Sequence, residues 1–279
     1  MNRRPYFLYA MLCFGFAFFY IPILSMIVFS FNESRLATVW GGFSTKWYAE
    51  LFSNDQVIDA AILSLKIAVT SATFATILGT MAGIALARFR QFRGRTAFSG
   101  MITAPLVMPE VITGIAMLMM FILMAEWFGW PAQRGFTTVT LAHITFSMVF
   151  VATIVHSRLV RTDAAIEEAA IDLGSKPWQV MWDITLPIIS PAILAGWLLS
   201  FTISLDDVVI TSFTTGPGNT TLPILIWSKV KLGVTPDINA LATITVTVVG
   251  IGVLIAGILM NRAEKRRERE AQLAYQDNS

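Results

Sequence analysis

Three carboxylates are the residues whose type and position in this sequence could do chemistry. Glu110 interrupts an apolar run long enough to span a membrane, and the adjacent Asp206 and Asp207 follow another such run. A carboxylate within hydrocarbon is costly and normally faces a cavity or a partner. The sequence therefore predicts that the three acids line a path for a cation, with Asp206 and Asp207 forming an acidic mouth that raises the local cation concentration.

The backbone before Glu110 supports this interpretation. Pro105 and Pro109 precede it, and two prolines this close remove backbone donors and favour a broken helix. Irregular backbone at membrane depth is tolerated only where it is buried or lines a water-filled path. Both acidic positions also have a purely structural interpretation. Glu110 could begin a helix that restarts after Pro109, where the helix dipole favours an anion, and Asp206 and Asp207 could form a solvated helix end.

The sequence lacks the residue patterns that other kinds of catalysis would need. No Gly-x-x-x-x-Gly-Lys-Ser/Thr loop occurs, so the chain has no such loop to hold ATP phosphates. No nucleophilic Ser, His and Asp set is found; His143 and His156 lie 13 residues apart in one apolar run and are expected to be packing or interfacial residues. The single cysteine, Cys13, excludes an intrachain disulfide. We expect no cofactor on this chain and an energy source on another polypeptide.

The elements that position these acids are predicted to be membrane helices. Of 279 residues, 55% are hydrophobic and 14% charged, which is too little polar surface for a soluble globule of this size. A spanning helix needs about 20 mostly apolar residues. Gly79 and Gly83 form a Gly-x-x-x-Gly spacing that lets another helix approach closely. The pattern predicts an all-α membrane protein, one transmembrane domain over 1–279, with six transmembrane helices near 6–31, 58–87, 98–125, 137–157, 184–205 and 238–261.

Positive residues indicate the orientation of these spans, because Lys and Arg are retained on the cytoplasmic side. Alternate connections are rich in them, which predicts that both termini, the loop 158–183 and the tail 262–279 are cytoplasmic. The net charge of +2 reflects this asymmetry and requires no nucleic acid partner. The rich segments contain Arg3 and Arg4; Arg88, Arg90, Arg93 and Arg95; Arg158, Arg161 and Lys176; and Arg262, Lys265, Arg266, Arg267 and Arg269.

The loop 158–183 has a helical pattern of its own. Apolar residues repeat on one face over 163–173, Gly174 is the residue type that ends helices, and Pro177 suits the first turn of a second short helix. The expected helix, turn and helix would form a knob on which a partner can dock. The apolar face holds Ile166, Ala169, Ala170 and Leu173, and the carboxylates around it are Glu167, Glu168 and Asp172.

Fixed positions in this loop resemble the EAA loop of ABC importer permeases. Glu168-Ala169-Ala170 is followed after three residues by Gly174, and after nine more by Ile184-Thr185-Leu186-Pro187. The resemblance implies a type I permease fold. It also implies that the loop inserts into a cleft on an ATP-hydrolysing partner subunit, and that this subunit binds ATP and magnesium. The alternative is an interfacial helix that only anchors the loop. The resemblance assigns a role in coupling to the ATPase to Glu168, Ala169, Ala170 and Gly174. We add Glu167, Asp172 and Pro177 to this set because they lie in the same loop.

Two further segments narrow the resemblance to polyamine-type permeases. They are 104–114, Ala-Pro-Leu-Val-Met-Pro-Glu-Val-Ile-Thr-Gly, and 204–207, Ser-Leu-Asp-Asp. The chain is similar to the second permease subunit of a putrescine or spermidine importer of the bacterial inner membrane. This resemblance implies three kinds of partner: two copies of an ATP-binding subunit, a second homologous permease and a periplasmic polyamine-binding protein. The alternatives are a permease for another small solute and, less favoured, an ion-coupled carrier with intramembrane charge relays.

Overall fold

A computed structural model describes residues 6–36, 39–89, 91–233 and 235–277 of the chain. Arg3, Arg4 and Arg90, which contributed to the predicted orientation, lie outside the described residues. Helices make up most of the described part. They are α1 (Tyr6–Phe29), α2 (Lys46–Phe52), α3 (Asp55–Arg88), α4 (Arg95–Val107), α5 (Glu110–Phe128), α6 (Phe136–Val160), α7 (Ala165–Asp172), α8 (Pro177–Val180), α9 (Leu186–Asp206), α10 (Val209–Thr214), α11 (Leu222–Leu232) and α12 (Pro236–Asp277).

Six stretches of helix within the described residues are long and apolar enough to cross a membrane, which confirms the predicted all-α membrane protein with six spans. The cytoplasmic orientation of both termini stays a prediction. The tail 262–279 continues the last helix as far as Asp277. The spans are Tyr6–Phe29, Asp55–Arg88, Glu110–Phe128, Phe136–Val160, Pro177–Asp206 and Pro236–Ile255.

The third predicted span, 98–125, is two helices rather than one. α4 and α5 meet at Met108 and Pro109, where Met108 is extended with φ −77° and ψ 135°. Pro109 explains the break, because a proline ring disfavours helical backbone at the residue before it. Pro105, by contrast, is accommodated inside α4. Glu110 is therefore the first residue of a helix, as its structural alternative expected, and does not lie in the middle of a continuous span.

The fifth predicted span, 184–205, begins earlier than expected. α8 leads through one π-helical turn, Met181–Thr185, into α9, so that helix runs unbroken over Pro177–Asp206. The second short helix expected after Gly174 is thus the first turn of a membrane span and not a separate element. The end of the EAA loop is therefore the beginning of the fifth membrane helix.

The described helices pack as two compact units. The first contains the described residues before Ala60 together with Leu225–Ala256, and the second contains Ala60–Ile224 with the described residues from Gly257 onward. In the first unit the indole nitrogen of Trp47 donates a hydrogen bond of 2.7 Å to the Asn32 carbonyl oxygen. All the candidate functional residues lie in the second unit.

Helix α6 is the most buried span of the second unit, with 61% of its most apolar stretch buried. Two glycines of α3 lie against it with no room for a side chain. A β-carbon at Gly79 would lie 2.6 Å from the Met148 carbonyl oxygen, and one at Gly83 would lie 2.8 Å from the Ala152 carbonyl oxygen. The close approach predicted from the Gly-x-x-x-Gly spacing is therefore made to a helix of the same chain.

Candidate substrate path and coupling loop

The EAA loop, residues 158–183, has the predicted helix, turn and second helical start. Gly174 ends α7 with a φ of +92°. Its N–H donates to the Ile171 carbonyl oxygen at 2.9 Å, and the Ser175 N–H donates to the Ala170 carbonyl oxygen at 3.0 Å. This pair of bonds is a Schellman motif, which satisfies the last carbonyls of a helix and needs a residue that tolerates positive φ. The turn therefore explains the glycine without any partner.

Glu167 is turned toward its own chain. Its carboxylate accepts a hydrogen bond of 2.9 Å from Arg88 Nη2 at the end of α3, and its second oxygen lies 2.9 Å from Arg88 Nε. The Thr185 hydroxyl donates to the same carboxylate at 2.9 Å. Glu167 thus ties α7 both to α3 and to the start of the fifth span, whereas the loop sequence had suggested a carboxylate facing a partner.

The rest of the EAA loop leaves apolar side chains uncovered. The predicted apolar face is divided, because Ala170 is buried while Leu173 is 89% exposed. Glu168, Ala169 and Asp172 are exposed beside it. Exposed apolar side chains in such a group typically mark a contact with another protein or with the membrane. We call the following side chains the apolar loop surface: Ile166, Ile171, Leu173, Trp178 and Trp182.

Two of the three predicted path acids, Glu110 and Asp206, lie at helix ends. Glu110 begins α5 and Asp206 ends α9. The helix after Asp206, α10, packs against α5, since a β-carbon at Gly114 would lie 2.6 Å from the Phe213 ring. Both acids are exposed, and each lies where helical backbone is interrupted. Two like charges repel each other, so a cation placed between them is stabilised by both. Within the described part of the chain, no three His, Cys, Asp or Glu side chains are grouped as a metal site.

Asp207 differs from its neighbour, because its side chain is only 9% exposed. Its Oδ2 lies 3.2 Å from His143 Nε2 and accepts bonds of 2.7 Å from both the hydroxyl and the N–H of Thr211. Asp207 therefore caps the amino end of α10 and is occupied by groups of its own chain. The exposed residue of the predicted acidic mouth is therefore Asp206, whereas Asp207 is neither exposed nor a solvated helix end.

His143 is buried, as expected of a packing residue, but both ring nitrogens have polar partners. Besides the contacts of Nε2, Nδ1 lies 2.7 Å from Ser204 Oγ, and the Ser71 hydroxyl donates to Ser204 at 3.1 Å. These partners are at least 61 residues away from His143 in the sequence, so no local spacing points to them. We call Ser71, His143, Ser204, Asp207 and Thr211 the His143 cluster.

Comparison with known proteins decides the family. The family described as "Binding-protein-dependent transport system inner membrane component" matches residues 75–269. The chain belongs to this family of permeases. This permease is 55% identical to the putrescine transport system permease protein PotI of Escherichia coli strain K12, over 93% of its own length and 92% of that protein. It is 45% identical to the spermidine/putrescine transport system permease protein PotC of the same strain, over 88% and 90%.

Solved structures show that the permease has the fold of ABC importer permeases. A bacterial ABC transporter involved in the import of the acidic polysaccharide alginate matches it with a TM-score of 0.73 and 18% identity, over 94% of this chain and 97% of that one. A chain of the inward-facing MetNI methionine ABC transporter matches with a TM-score of 0.60 and 14% identity, over 75% and 95%. The permease is a multi-pass protein of the inner membrane.

Proposed function

We propose that this permease is a membrane subunit of an ATP-driven ABC importer that carries polyamines from the periplasm to the cytoplasm, putrescine foremost and spermidine next. The observation that carries the proposal is that Glu110 and Asp206 are both exposed at helix ends, with the helix that follows Asp206 packed against the first turns of the helix that Glu110 begins. Putrescine is a flexible chain with an ammonium group at each end. Two carboxylates on separate helices suit such a dication better than a neutral or anionic solute.

The position of the two acids supports a place on the translocation path. Glu110 follows the break between α4 and α5, and Asp206 precedes the break between α9 and α10. Interrupted backbone in a membrane protein is tolerated where it lines a water-filled cavity. The carboxylates can therefore stay solvated until a cation replaces part of their water.

The EAA loop is the proposed contact with the ATP-hydrolysing subunit. The apolar loop surface would enter a cleft on that subunit, with Glu168 and Asp172 at its edge and Ala169 allowing close approach. Gly174 sets the turn, and Pro177 starts the span that ends at Asp206. Because that helix is continuous over 30 residues, about 45 Å, a displacement of the loop reaches the acid at its far end.

The proposed complex has four kinds of protein. Two copies of the ATP-binding subunit bind ATP and magnesium, so this chain needs no cofactor of its own. A second, homologous permease completes the path, and a periplasmic polyamine-binding protein delivers the substrate. The lipid bilayer surrounds the spans.

The test uses the whole complex in proteoliposomes, with the binding protein supplied outside and ATP inside. Uptake of labelled putrescine and ATP hydrolysis are measured for Glu110→Gln and Asp206→Asn, which remove charge and keep shape. Loss of a charge-assisted contact should lower uptake by about tenfold or more while assembly is unchanged. Glu126→Gln is the matched control, since Glu126 is an exposed acid at the other end of α5. Full uptake by both path variants, or uptake of a neutral solute instead of putrescine, would contradict the proposal.

A further inference from the structure

The His143 cluster contains neither of the two proposed path acids and no residue of the EAA loop. The His143 side chain is 4% exposed, and its contacts join α6 to α9 and α10. Ser204 in turn is bonded to Ser71 of α3. Burial of this many polar groups in a membrane bundle is costly unless each has a partner. A cluster that satisfies its own members fixes the relative positions of the helices that carry them.

One assignment of hydrogens satisfies the whole chain of contacts. A carboxylate accepts only, so His143 Nε2 carries the hydrogen directed at Asp207. In the neutral ring Nδ1 then accepts from the Ser204 hydroxyl, whose oxygen accepts from Ser71. The ring is therefore held from both sides, and Asp207 is held by the ring.

Because His143 holds Asp207, it also influences the position of α10, which Asp207 binds, and of α5, against which α10 packs. The Asp207 carboxylate accepts from the N–H groups of Ile210 at 3.3 Å and Thr211 at 2.7 Å, which fixes the start of α10. At the other end of α10, the Phe213 ring lies so close to α5 that a β-carbon at Gly114 would be 2.6 Å from it. Gly114 is one helical turn after Glu110. Asp206 itself is bonded directly to Asp207 in the backbone.

We propose that His143 is a positioning residue that sets the separation between the Glu110 and Asp206 carboxylates, and thereby the length of diamine that the permease accepts. This inference rests on the proposed function. His143 does not touch substrate; it acts through Asp207, which holds Asp206 on one side and α10 against α5 on the other. Since Coulomb attraction falls with distance, a fixed pair of carboxylates favours the diamine whose ammonium groups match their spacing.

If His143 had only a structural role, its replacement would not change the selectivity for diamine chain length. That selectivity is therefore the quantity to measure. Uptake of 1,3-diaminopropane, putrescine and cadaverine is compared in proteoliposomes that hold the complete complex. The same binding protein is used throughout, so its own preference cancels when each variant is compared with the unmodified permease. With His143→Ala, the ratio between the best diamine and the other two should fall by about fivefold or more, because the carboxylates are no longer held at one spacing.

Two conservative variants separate the roles of the ring nitrogens. In His143→Gln the side-chain amide lies near the position of Nε2 and can still donate to Asp207, whereas in His143→Asn it lies near Nδ1. We expect the Gln variant to keep the selectivity ratio and the Asn variant to lose it. His156→Gln is the matched control on the same helix, and it should leave the ratio unchanged.

Each outcome decides the inference. An equal loss of all three diamines in His143→Ala, or equal ratios in the Gln and Asn variants, would show that His143 only stabilises the fold and would overturn the proposal. If His143→Ala fails to assemble, the Gln and Asn pair decides. Failure of the unmodified complex to take up any diamine would instead overturn the proposed function, which keeps the two results distinct.

Discussion

The EAA loop and the His143 cluster both join helices through polar side chains, but they do so in opposite surroundings. In the cluster, His143 and Asp207 are 4% and 9% exposed and each is satisfied within the chain. In the loop, the Glu167 side chain is 17% exposed and its partner Arg88 on α3 is 20% exposed, while Leu173 of the same loop is 89% exposed. The cluster is satisfied within the chain, whereas the loop leaves apolar side chains exposed, which is the surface proposed to contact the ATP-binding subunit.

The difference separates residues that hold the permease together from residues proposed to contact a partner. Polar groups buried inside a bundle are costly to unpair, so changes in the cluster should act on folding. Apolar groups left in water cost little to remove, so changes on the loop should act on assembly.

The largest expected effect is on stability, from Asp207→Ala. The change removes the buried carboxylate that His143 Nε2 and the N–H groups of Ile210 and Thr211 share, and should reduce the free energy of unfolding by about 3 kcal/mol. Thermal unfolding in detergent measures it. Asp206→Ala, next in sequence and exposed, is the control and should shift the midpoint little. Equal shifts in the two variants would remove the distinction between the two aspartates.

The next effect is on assembly, from Leu173→Asp. A charge on the apolar loop surface should reduce recovery of the ATP-binding subunit with the purified permease by about tenfold or more, without lowering the melting temperature of the permease. Leu232→Asp is matched in residue type and exposure, since Leu232 is 91% exposed in α11. Normal recovery of the ATP-binding subunit with Leu173→Asp would favour the alternative in which the loop is only an anchor.

A smaller effect is expected at the turn of the EAA loop. A β-carbon at Gly174 would meet nothing within 4 Å. Gly174→Ala should therefore destabilise the loop only through the strain of a positive φ, by about 1 kcal/mol. Gly174→Asn should cost less, because Asn tolerates that conformation. Hydrogen exchange over 165–175 reports the loop, and uptake reports coupling. If both variants keep the loop protected but lose uptake equally, the partner itself requires a bare backbone at this position.

The smallest effect is expected for the ion pair that holds the loop to α3. A double-mutant cycle of Arg88→Ala and Glu167→Ala should give a coupling energy of about 1 kcal/mol or less, since both side chains are partly exposed. The same cycle for His143 and Asp207 should give a larger value. A loop coupling that exceeded the cluster coupling would reverse the comparison between the two regions.

Much of this architecture could be predicted from the sequence, because it depends on neighbours in the chain. Six apolar stretches predict six spans, the prolines before Glu110 predict the helix break, and Gly174 with the EAA pattern predicts the helix and turn. Each of these signals lies within about 20 residues, where the restrictions imposed by proline and glycine and the apolar length needed for a membrane act directly.

The tertiary structure decided which polar residues face inward. Asp206 and Asp207 are identical in type and adjacent in sequence, yet one is exposed and the other is bound by His143, 64 residues away. Glu167 was grouped with the carboxylates of a docking face, but Arg88, 79 residues earlier, draws it into the chain. No local pattern encodes such pairs, because burial is decided by which helices pack together and a buried charge then takes whatever partner that packing provides.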